Sequence, residues 1–150
     1  MKIIAITTPT VTNNDIYLIK GLVDNGIDTI HLRKPNATID ECRRLLSGLN
    51  AEQRAKIIVH NFAELYFEFS LKGIHITKNI ISLPDGYDGF KSRSCHSFAE
   101  VVRYKQDYDY MLLSPIFDSI SKTGYKSTFS QKELQQASTD GIIDEKVIAL

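Results

Sequence analysis

Lys56-Ile-Ile-Val-His-Asn61 is a short apolar run that ends in polar residues able to do chemistry, and six similar runs occur along the chain. A parallel strand has this nearly continuous apolar pattern when both of its faces are covered by helices. In parallel α/β folds, ligands bind beyond the carboxyl ends of the strands. The pattern therefore predicts an α/β domain with one shared ligand site, as in an enzyme. The other runs are Lys2–Thr7, Thr29–Arg33, Gly73–Thr77, Ser92–His96, Asp109–Ser114 and Lys146–Leu150.

The composition excludes several other classes of protein. The 150 residues are 43% hydrophobic and 24% charged, which is enough to build one sizeable core. Eighteen acidic and eighteen basic residues give no net charge, so no electrostatic footprint for nucleic acid or an anionic membrane is expected. No apolar run approaches the ~18 residues of a membrane span. The apolar run at the start of the chain is too short to be the apolar region of a signal peptide. We therefore expect a cytoplasmic protein. Cys42 and Cys95 lack CxxC spacing and are interpreted as buried free thiols.

Between the apolar runs the sequence changes to helical periodicity, as a series of βαβ units requires. Thr38–Glu41 and Ser97–Glu100 both have the form of a capping box at a helix start. Leu83–Gly89 is rich in residues typical of turns, so the crossover after Thr77 is predicted to be short and poorly helical. No linker or repeat interrupts residues 1–150, which favours a single domain. The first helix is predicted to carry Ile16, Ile19, Leu22 and Val23, and the third Phe62, Leu65, Tyr66 and Phe69.

The number of strands separates two architectures. Seven strands exceed what a five-stranded flavodoxin-like sheet needs, and they fall one short of an eight-stranded barrel. A parallel strand that stops at Leu150 would be left with an uncovered face and an unpaired edge. We therefore expect the barrel domain to be truncated at its C-terminal end. The alternative is that another subunit closes the edge, as in a homo-oligomer.

Five motifs follow one another at compatible spacings, and together they are far more specific than any one alone. They are Ile30-His-Leu-Arg33, Lys56-Ile-Ile-Val-His-Asn61 with Glu64-Leu65, Lys72-Gly-Ile-His-Ile76, Ser94-Cys-His96 and Ser114-Pro-Ile-Phe-Asp-Ser-Ile-Ser-Lys122. In this order they resemble the signature segments of the thiamin phosphate synthase family, which also contains the thiazole tautomerases. The resemblance implies a (β/α)8 TIM barrel, of which this chain covers about the first seven strands. It also implies a transferase that couples an aminopyrimidine diphosphate with a thiazole phosphate, releases diphosphate and uses Mg²⁺.

The resemblance assigns phosphate-binding roles to several residues of this chain. Arg33 corresponds to the arginine that binds diphosphate oxygens, a task that suits a guanidinium fork at the carboxyl end of a strand. Ser94 corresponds to a serine that donates to the diphosphate, and His96 shares its face of the strand. Ser119, Ser121 and Lys122 match a Thr-x-Thr-Lys stretch, with serine keeping the hydroxyl of each threonine. His31, Arg33 and Lys122 are the candidate catalytic residues.

Departures from the family pattern concern the metal and one lysine. Arg33-Lys34-Pro35 stands where synthases carry Arg-Glu-Lys, so the lysine is missing unless Lys34 replaces it from the other side of the strand. His60-Asn61 aligns with an Asn-Asp pair, and Asn79-Ile80 with a second metal-binding aspartate. Because Mg²⁺ prefers carboxylate oxygens, no metal ligand is identifiable here. Asp85 and Asp88 would have to fold back to supply one. His60 and Asn61 remain candidates for contacting substrate.

Two further hypotheses stay open beside the synthase. A thiazole-phosphate tautomerase is favoured by His31, although the tautomerases' catalytic histidine aligns with Pro115. Its proton shuttle would be His31, His60 or His96, which titrate near neutrality if unperturbed. The third hypothesis is a non-catalytic barrel that binds a phosphorylated thiamin precursor. His75 is interpreted as packing, and a transition-metal site made of strand histidines remains a lesser alternative because HxH and HExxH spacings are absent.

Overall fold

The protein is described by a computed structural model over residues 3–77, 80, 82–118 and 126–150. Strands and helices alternate along these residues, and all seven predicted strands are confirmed. None of the helices within these ranges is both long and apolar enough to cross a membrane. The described strands are β1 (Ile4–Ile6), β2 (Thr29–Leu32), β3 (Ile57–Val59), β4 (Gly73–Ile76), β5 (Phe90–Cys95), β6 (Tyr110–Leu113) and β7 (Val147–Ala149). The described helices are α1 (Asp15–Asp24), α2 (Ile39–Ser47), α3 (Ala51–Arg54), α4 (Leu65–Phe69), α5 (Phe98–Tyr104) and α6 (Gln131–Thr139).

The chain forms two compact units, Met1–Phe90 and Lys91–Leu150. In the first unit β1, β2, β3 and β4 are parallel and pair in chain order. Every residue of β2, β3 and β4 is buried, which explains why these strands are nearly continuous apolar runs in the sequence. That residues 1–150 form one barrel domain stays a prediction.

Helix α2 begins where the capping-box pattern predicts. The Thr38 hydroxyl accepts from the Glu41 N–H, and the Glu41 carboxylate accepts from the Thr38 N–H. This reciprocal pair fixes the first turn, so that Leu45 and Leu46 point into the core. At α5 only half of the predicted box forms, because the Glu100 carboxylate accepts from the His96 N–H instead of the capping serine's own N–H.

The predicted third helix is wrong at its first position. Helix α4 begins at Leu65, and Phe62 lies outside it with φ of 58° in the left-handed region. A residue in this region cannot belong to a right-handed helix, so the chain turns at Phe62 before α4 starts. The short helix α3, closed by a capping box between Asn50 and Gln53, has no counterpart in the sequence prediction.

The second unit contains β5, β6 and β7, again parallel and in chain order. Its core is built around Cys95, Val101, Met111 and Leu113, all buried. Cys42 and Cys95 are both free and buried, as predicted. Burial raises the pKa of the Cys95 thiol to about 11, so this side chain behaves as a small apolar group.

In the first unit, the backbone of Phe90 passes very close to the start of β4. A Cβ at Gly73 would lie 2.1 Å from the carbonyl oxygen of Phe90. The Phe90 N–H donates to the Lys72 carbonyl over 3.1 Å, and the Tyr87 hydroxyl accepts from the Ile74 N–H while it donates to the Phe90 carbonyl. Only glycine permits this approach, because the atom that a side chain would meet belongs to the backbone.

A buried ion pair joins the end of β2 to the start of α1. The Lys34 ammonium lies 2.7 Å from an Asp15 carboxylate oxygen and 2.8 Å from the Thr10 carbonyl oxygen. The other Asp15 oxygen accepts from the Thr12 N–H over 2.6 Å. Lys34 and Asp15 are 2% and 3% exposed, so each charge depends on the other for compensation.

We expect Gly73→Ala to destabilise the protein by about 1–3 kcal/mol, because the new methyl group overlaps a backbone oxygen that cannot move away easily. Gly21→Ala is the matched control. No atom lies within 4 Å of the Cβ it would add inside α1, so the better helix propensity of alanine should stabilise by up to about 1 kcal/mol. Urea unfolding of both variants checks this prediction. Equal effects of the two substitutions would contradict it.

Lys34→Met should cost about 3–5 kcal/mol, because it leaves the Asp15 carboxylate buried without its cation. Combining Lys34→Met with Asp15→Leu removes both charges and should recover most of that loss. Arg43→Met is the control. It breaks an exposed ion pair between Arg43 of α2 and Glu68 of α4, so it should change the stability little. Equilibrium unfolding of the wild type and the three variants provides the comparison. A double variant no more stable than Lys34→Met would contradict the ion-pair account.

Candidate functional site

Three histidines of the first unit form one cluster. His31 lies in β2, His75 lies in β4 and His60 directly follows β3. Val59 pairs with Ile74, so the next residues, His60 and His75, are neighbours, and their rings stack with centroids 4.2 Å apart. His31 Nδ1 lies 2.7 Å from His60 Nε2, and its ring is 5.3 Å from that of His75. The structure thus adds His75 to two predicted site residues.

Burial determines the protonation of this cluster. It lowers the pKa of His31 to about 4, with a smaller contribution from the charge of Lys72. It lowers the pKa of His60 to about 2, with further contributions from His75, His31 and Arg33. Both rings are therefore neutral at pH 7, and the condition under which they would titrate near neutrality, an unperturbed pKa, is not met. The physical reason is that an imidazolium in this apolar interior loses its hydration. Such weak bases are poor candidates for a proton shuttle.

Arg33 follows β2 directly, and its backbone is held by Thr7 at the end of β1. The Arg33 N–H donates to Thr7 Oγ1 over 3.0 Å, and that hydroxyl donates to the Arg33 carbonyl over 3.3 Å. The side chain is half-buried, and it forms no ion pair with any residue that the structure describes. Arg33 thus presents an uncompensated positive charge at the carboxyl end of β2, which suits an anionic ligand.

A cavity of about 580 Å³ lies among the loops that follow β2, β3 and β4. Its wall includes Asn61, whose side-chain amide donates to the Lys34 carbonyl over 3.2 Å. Lys34 itself points into the ion pair with Asp15, so its ammonium does not replace the missing lysine of the family pattern. The other lining residues are Pro35, Ala37, Phe62, Ala63, Glu64, Ile80 and Ser82.

In the second unit, Ser94 lies in β5 and is half-buried, and His96 follows the strand and is exposed. His96 Nδ1 donates to the Ser114 carbonyl over 2.8 Å, because a carbonyl can only accept. This bond orients the ring and leaves Nε2 as the nitrogen that can contact a ligand. The predicted phosphate-binding residues Ser119, Ser121 and Lys122 lie outside the described residues, as does Asn79.

The described residues do not fit Mg²⁺. Within them, the one group of three or more metal-ligating side chains that converge is His31, His60 and His75. Asp85 and Asp88 are exposed and do not join it, and the Asp88 carboxylate accepts from the Tyr66 hydroxyl over 2.8 Å. Mg²⁺ requires oxygen ligands in an octahedral arrangement, whereas this cluster offers imidazole nitrogens.

The lowered pKa values of His31 and His60 predict a pH dependence of stability. Below the ordinary pKa of 6.5 the unfolded chain takes up protons that the folded protein resists. Stability is therefore complete above pH 6.5 and falls from there towards pH 4, by at most about 1.4 kcal/mol per pH unit for each histidine. Urea unfolding at about pH 7.5, 6.5 and 5.5 should show this slope, and His31→Gln should flatten it. An unchanged slope in the variant would contradict the prediction.

Comparison with known proteins agrees with this geometry. The family model described as "Thiamine monophosphate synthase" (TMP-TENI) matches residues 3–149. A crystal structure of thiamine phosphate pyrophosphorylase from Bacteroides thetaiotaomicron superposes with a TM-score of 0.89 at 38% sequence identity, covering 99% of this chain and 71% of that one. A search of curated protein sequences gives no significant match.

These findings confirm the fold class and the family resemblance predicted from the sequence motifs. The fold is that of a (β/α) TIM barrel, and the seven described strands correspond to the first seven of its eight. Family and fold together support a transferase of thiamin biosynthesis, as the sequence predicts. The chain belongs to the thiamine monophosphate synthase family.

Proposed function

We propose that this protein is a thiamin phosphate synthase that couples an aminopyrimidine diphosphate with a thiazole phosphate and releases diphosphate. The observation that carries the proposal is the Arg33 guanidinium, which is half-buried at a strand end and forms no ion pair within the described ranges. A half-buried guanidinium that has no carboxylate partner is well suited to bind an anionic ligand. The leaving diphosphate is such a ligand.

In this proposal the reaction depends on charge neutralisation. The bond between the pyrimidine and its diphosphate breaks, and the diphosphate takes the bonding electron pair while the thiazole phosphate attacks the pyrimidine. Negative charge develops on the departing group, so cationic donors fixed beforehand lower the barrier. Two contacts with Thr7 hold the Arg33 backbone, which fixes the point from which the guanidinium side chain extends.

We assign the remaining phosphate contacts from the family resemblance. Ser94 supplies a hydroxyl, and His96 presents Nε2 because its Nδ1 is occupied by the Ser114 carbonyl. Lys122, with the hydroxyls of Ser119 and Ser121, is the second proposed cation. The family uses Mg²⁺, but the described residues give this ion no carboxylate site. Our assignment therefore has these side chains neutralise the negative charge of the diphosphate.

The cavity beside Asn61 is the proposed binding place for the uncharged part of a substrate. It opens among the same strand ends as Arg33, and its lining combines apolar side chains with the polar groups of Asn61, Glu64 and Ser82. Asn61 is fixed by the Lys34 carbonyl, and Lys34 by Asp15, so this wall is held by buried contacts. A planar aminopyrimidine ring would bury apolar surface there.

Arg33→Ala should reduce kcat/KM for thiamin phosphate formation by about 100-fold or more, because it removes a preorganised donor to the leaving group. Arg33→Lys keeps the charge but not the fork, so its loss should be intermediate. Arg43→Ala removes an exposed arginine of α2 and should leave the rate unchanged. The assay measures thiamin phosphate and released diphosphate over a series of Mg²⁺ concentrations. Full turnover by Arg33→Ala would contradict the proposed role.

The same assay, carried out on the wild-type protein, distinguishes the synthase, the tautomerase and the non-catalytic binding protein. Product formation supports the synthase. Bound thiazole phosphate without product would exclude the synthase, and proton exchange on the thiazole would then indicate a tautomerase. Binding without exchange would indicate a protein that carries or senses the phosphorylated precursor.

A further inference from the structure

The cluster of His31, His60 and His75 has the composition of a transition-metal site. Each ring offers one nitrogen, and these three nitrogens all lie within 4.8 Å of one another. The side chains are 0%, 6% and 1% exposed, so they are far less accessible than an ordinary group of surface histidines. We propose that these three histidines bind one Zn²⁺ ion. The proposal does not depend on the synthase activity.

The strands set the spacing that such a site needs. His31, His60 and His75 come from three neighbouring parallel strands, or from the residue just beyond a strand end, so the backbone positions are rigid. Tetrahedral coordination with Zn–N bonds of about 2.0–2.1 Å places the nitrogens roughly 3.4 Å apart. The 2.7 Å contact between His31 Nδ1 and His60 Nε2 has to open slightly, and the third nitrogen has to move inward. Metal binding therefore requires the three rings to rotate, and the stacked rings of His60 and His75 to move out of their parallel arrangement.

The donor chemistry selects the kind of ion. Imidazole nitrogen binds Zn²⁺, Cu²⁺, Ni²⁺ and Co²⁺ well, whereas Mg²⁺ and Ca²⁺ require oxygen. No carboxylate belongs to the cluster among the described residues, so a bound Zn²⁺ would keep its full double charge. Three protein ligands leave one coordination position open, as in catalytic zinc sites.

The surrounding charges predict the fourth ligand. Arg33 directly follows β2 and Lys72 directly precedes β4, so two cationic residues flank the strands that carry the cluster. Their repulsion weakens Zn²⁺ binding relative to a site with carboxylates. It also favours a small anion, such as hydroxide, at the open position.

Cobalt titration of tag-free wild-type protein, stripped of metal with a chelator, tests the proposal. Co²⁺ should bind with a stoichiometry of one and give the visible absorption of a low-coordinate nitrogen site. One equivalent of Zn²⁺ should abolish that absorption. His75→Ala should weaken Co²⁺ binding by about 100-fold, because a first ligand is lost. Asp88→Asn is the matched control, since Asp88 is exposed and lies outside the cluster, so Co²⁺ binding should be unchanged.

A measurement without substitutions guards against variants that fail to fold. In ¹⁵N spectra of the wild-type imidazoles, Zn²⁺ should shift the signals of three histidines together and leave the fourth unmoved. Saturable binding with these three shifts supports the site. Absence of a saturable cobalt band, or a band of equal affinity in His75→Ala, would overturn it. The cluster would then be a hydrogen-bonded polar core that holds β2, β3 and β4 in register.

Discussion

The parallel register of β2, β3 and β4 determines where the polar side chains of the first unit can lie. Ile58 pairs with His31 on one side and with Gly73 on the other. Because side chains alternate between the two faces of a strand, this register places His31, His60 and His75 on a common face. A shift by one residue in any of the three strands would exchange histidine for a neighbouring residue, which is apolar on both sides of His31 and His75. The cluster therefore depends on pairing rather than on any local motif.

The same alternation separates two adjacent cations at the end of β2. His31 and Arg33 have the same parity, whereas Leu32 and Lys34 have the other. Arg33 consequently remains on the side of the histidines, where its charge lowers the pKa of His60. Lys34 lies on the opposite side, where α1 presents Asp15. One cation is thus available to a ligand, and the other is consumed in fixing the fold.

Much of the fold could be predicted from the sequence, because its determinants are local. Fully buried parallel strands appear as short apolar runs, and the Thr38–Glu41 box marks the start of α2 without knowledge of any distant residue. The apolar periodicity predicts Phe62 in a helix, because its side chain fits the helical spacing. Its left-handed backbone is imposed by the turn between β3 and α4, which the periodicity does not encode.

The site was less predictable, because its properties arise from residues far apart in the chain. Arg33, His31 and His60 are visible as polar residues at strand ends. The inclusion of His75 requires the register of β3 and β4, and the depressed pKa values require the burial that follows from folding. In the sequence, each of His60 and His75 lies in or directly after an apolar run, and this similarity is the one feature that indicates that they lie side by side. The roles of Ser94, His96, Ser119, Ser121 and Lys122 remain predictions.

The buried contact between Lys34 and Asp15 also has an evolutionary consequence. The family pattern has glutamate where this chain has Lys34, and a glutamate there would bring a second carboxylate against Asp15 in a nearly solvent-free place. Two anions so close together repel strongly, so a glutamate at position 34 would destabilise the fold while Asp15 is present. The two sites are therefore epistatic: the residue at one changes which residues the fold accepts at the other.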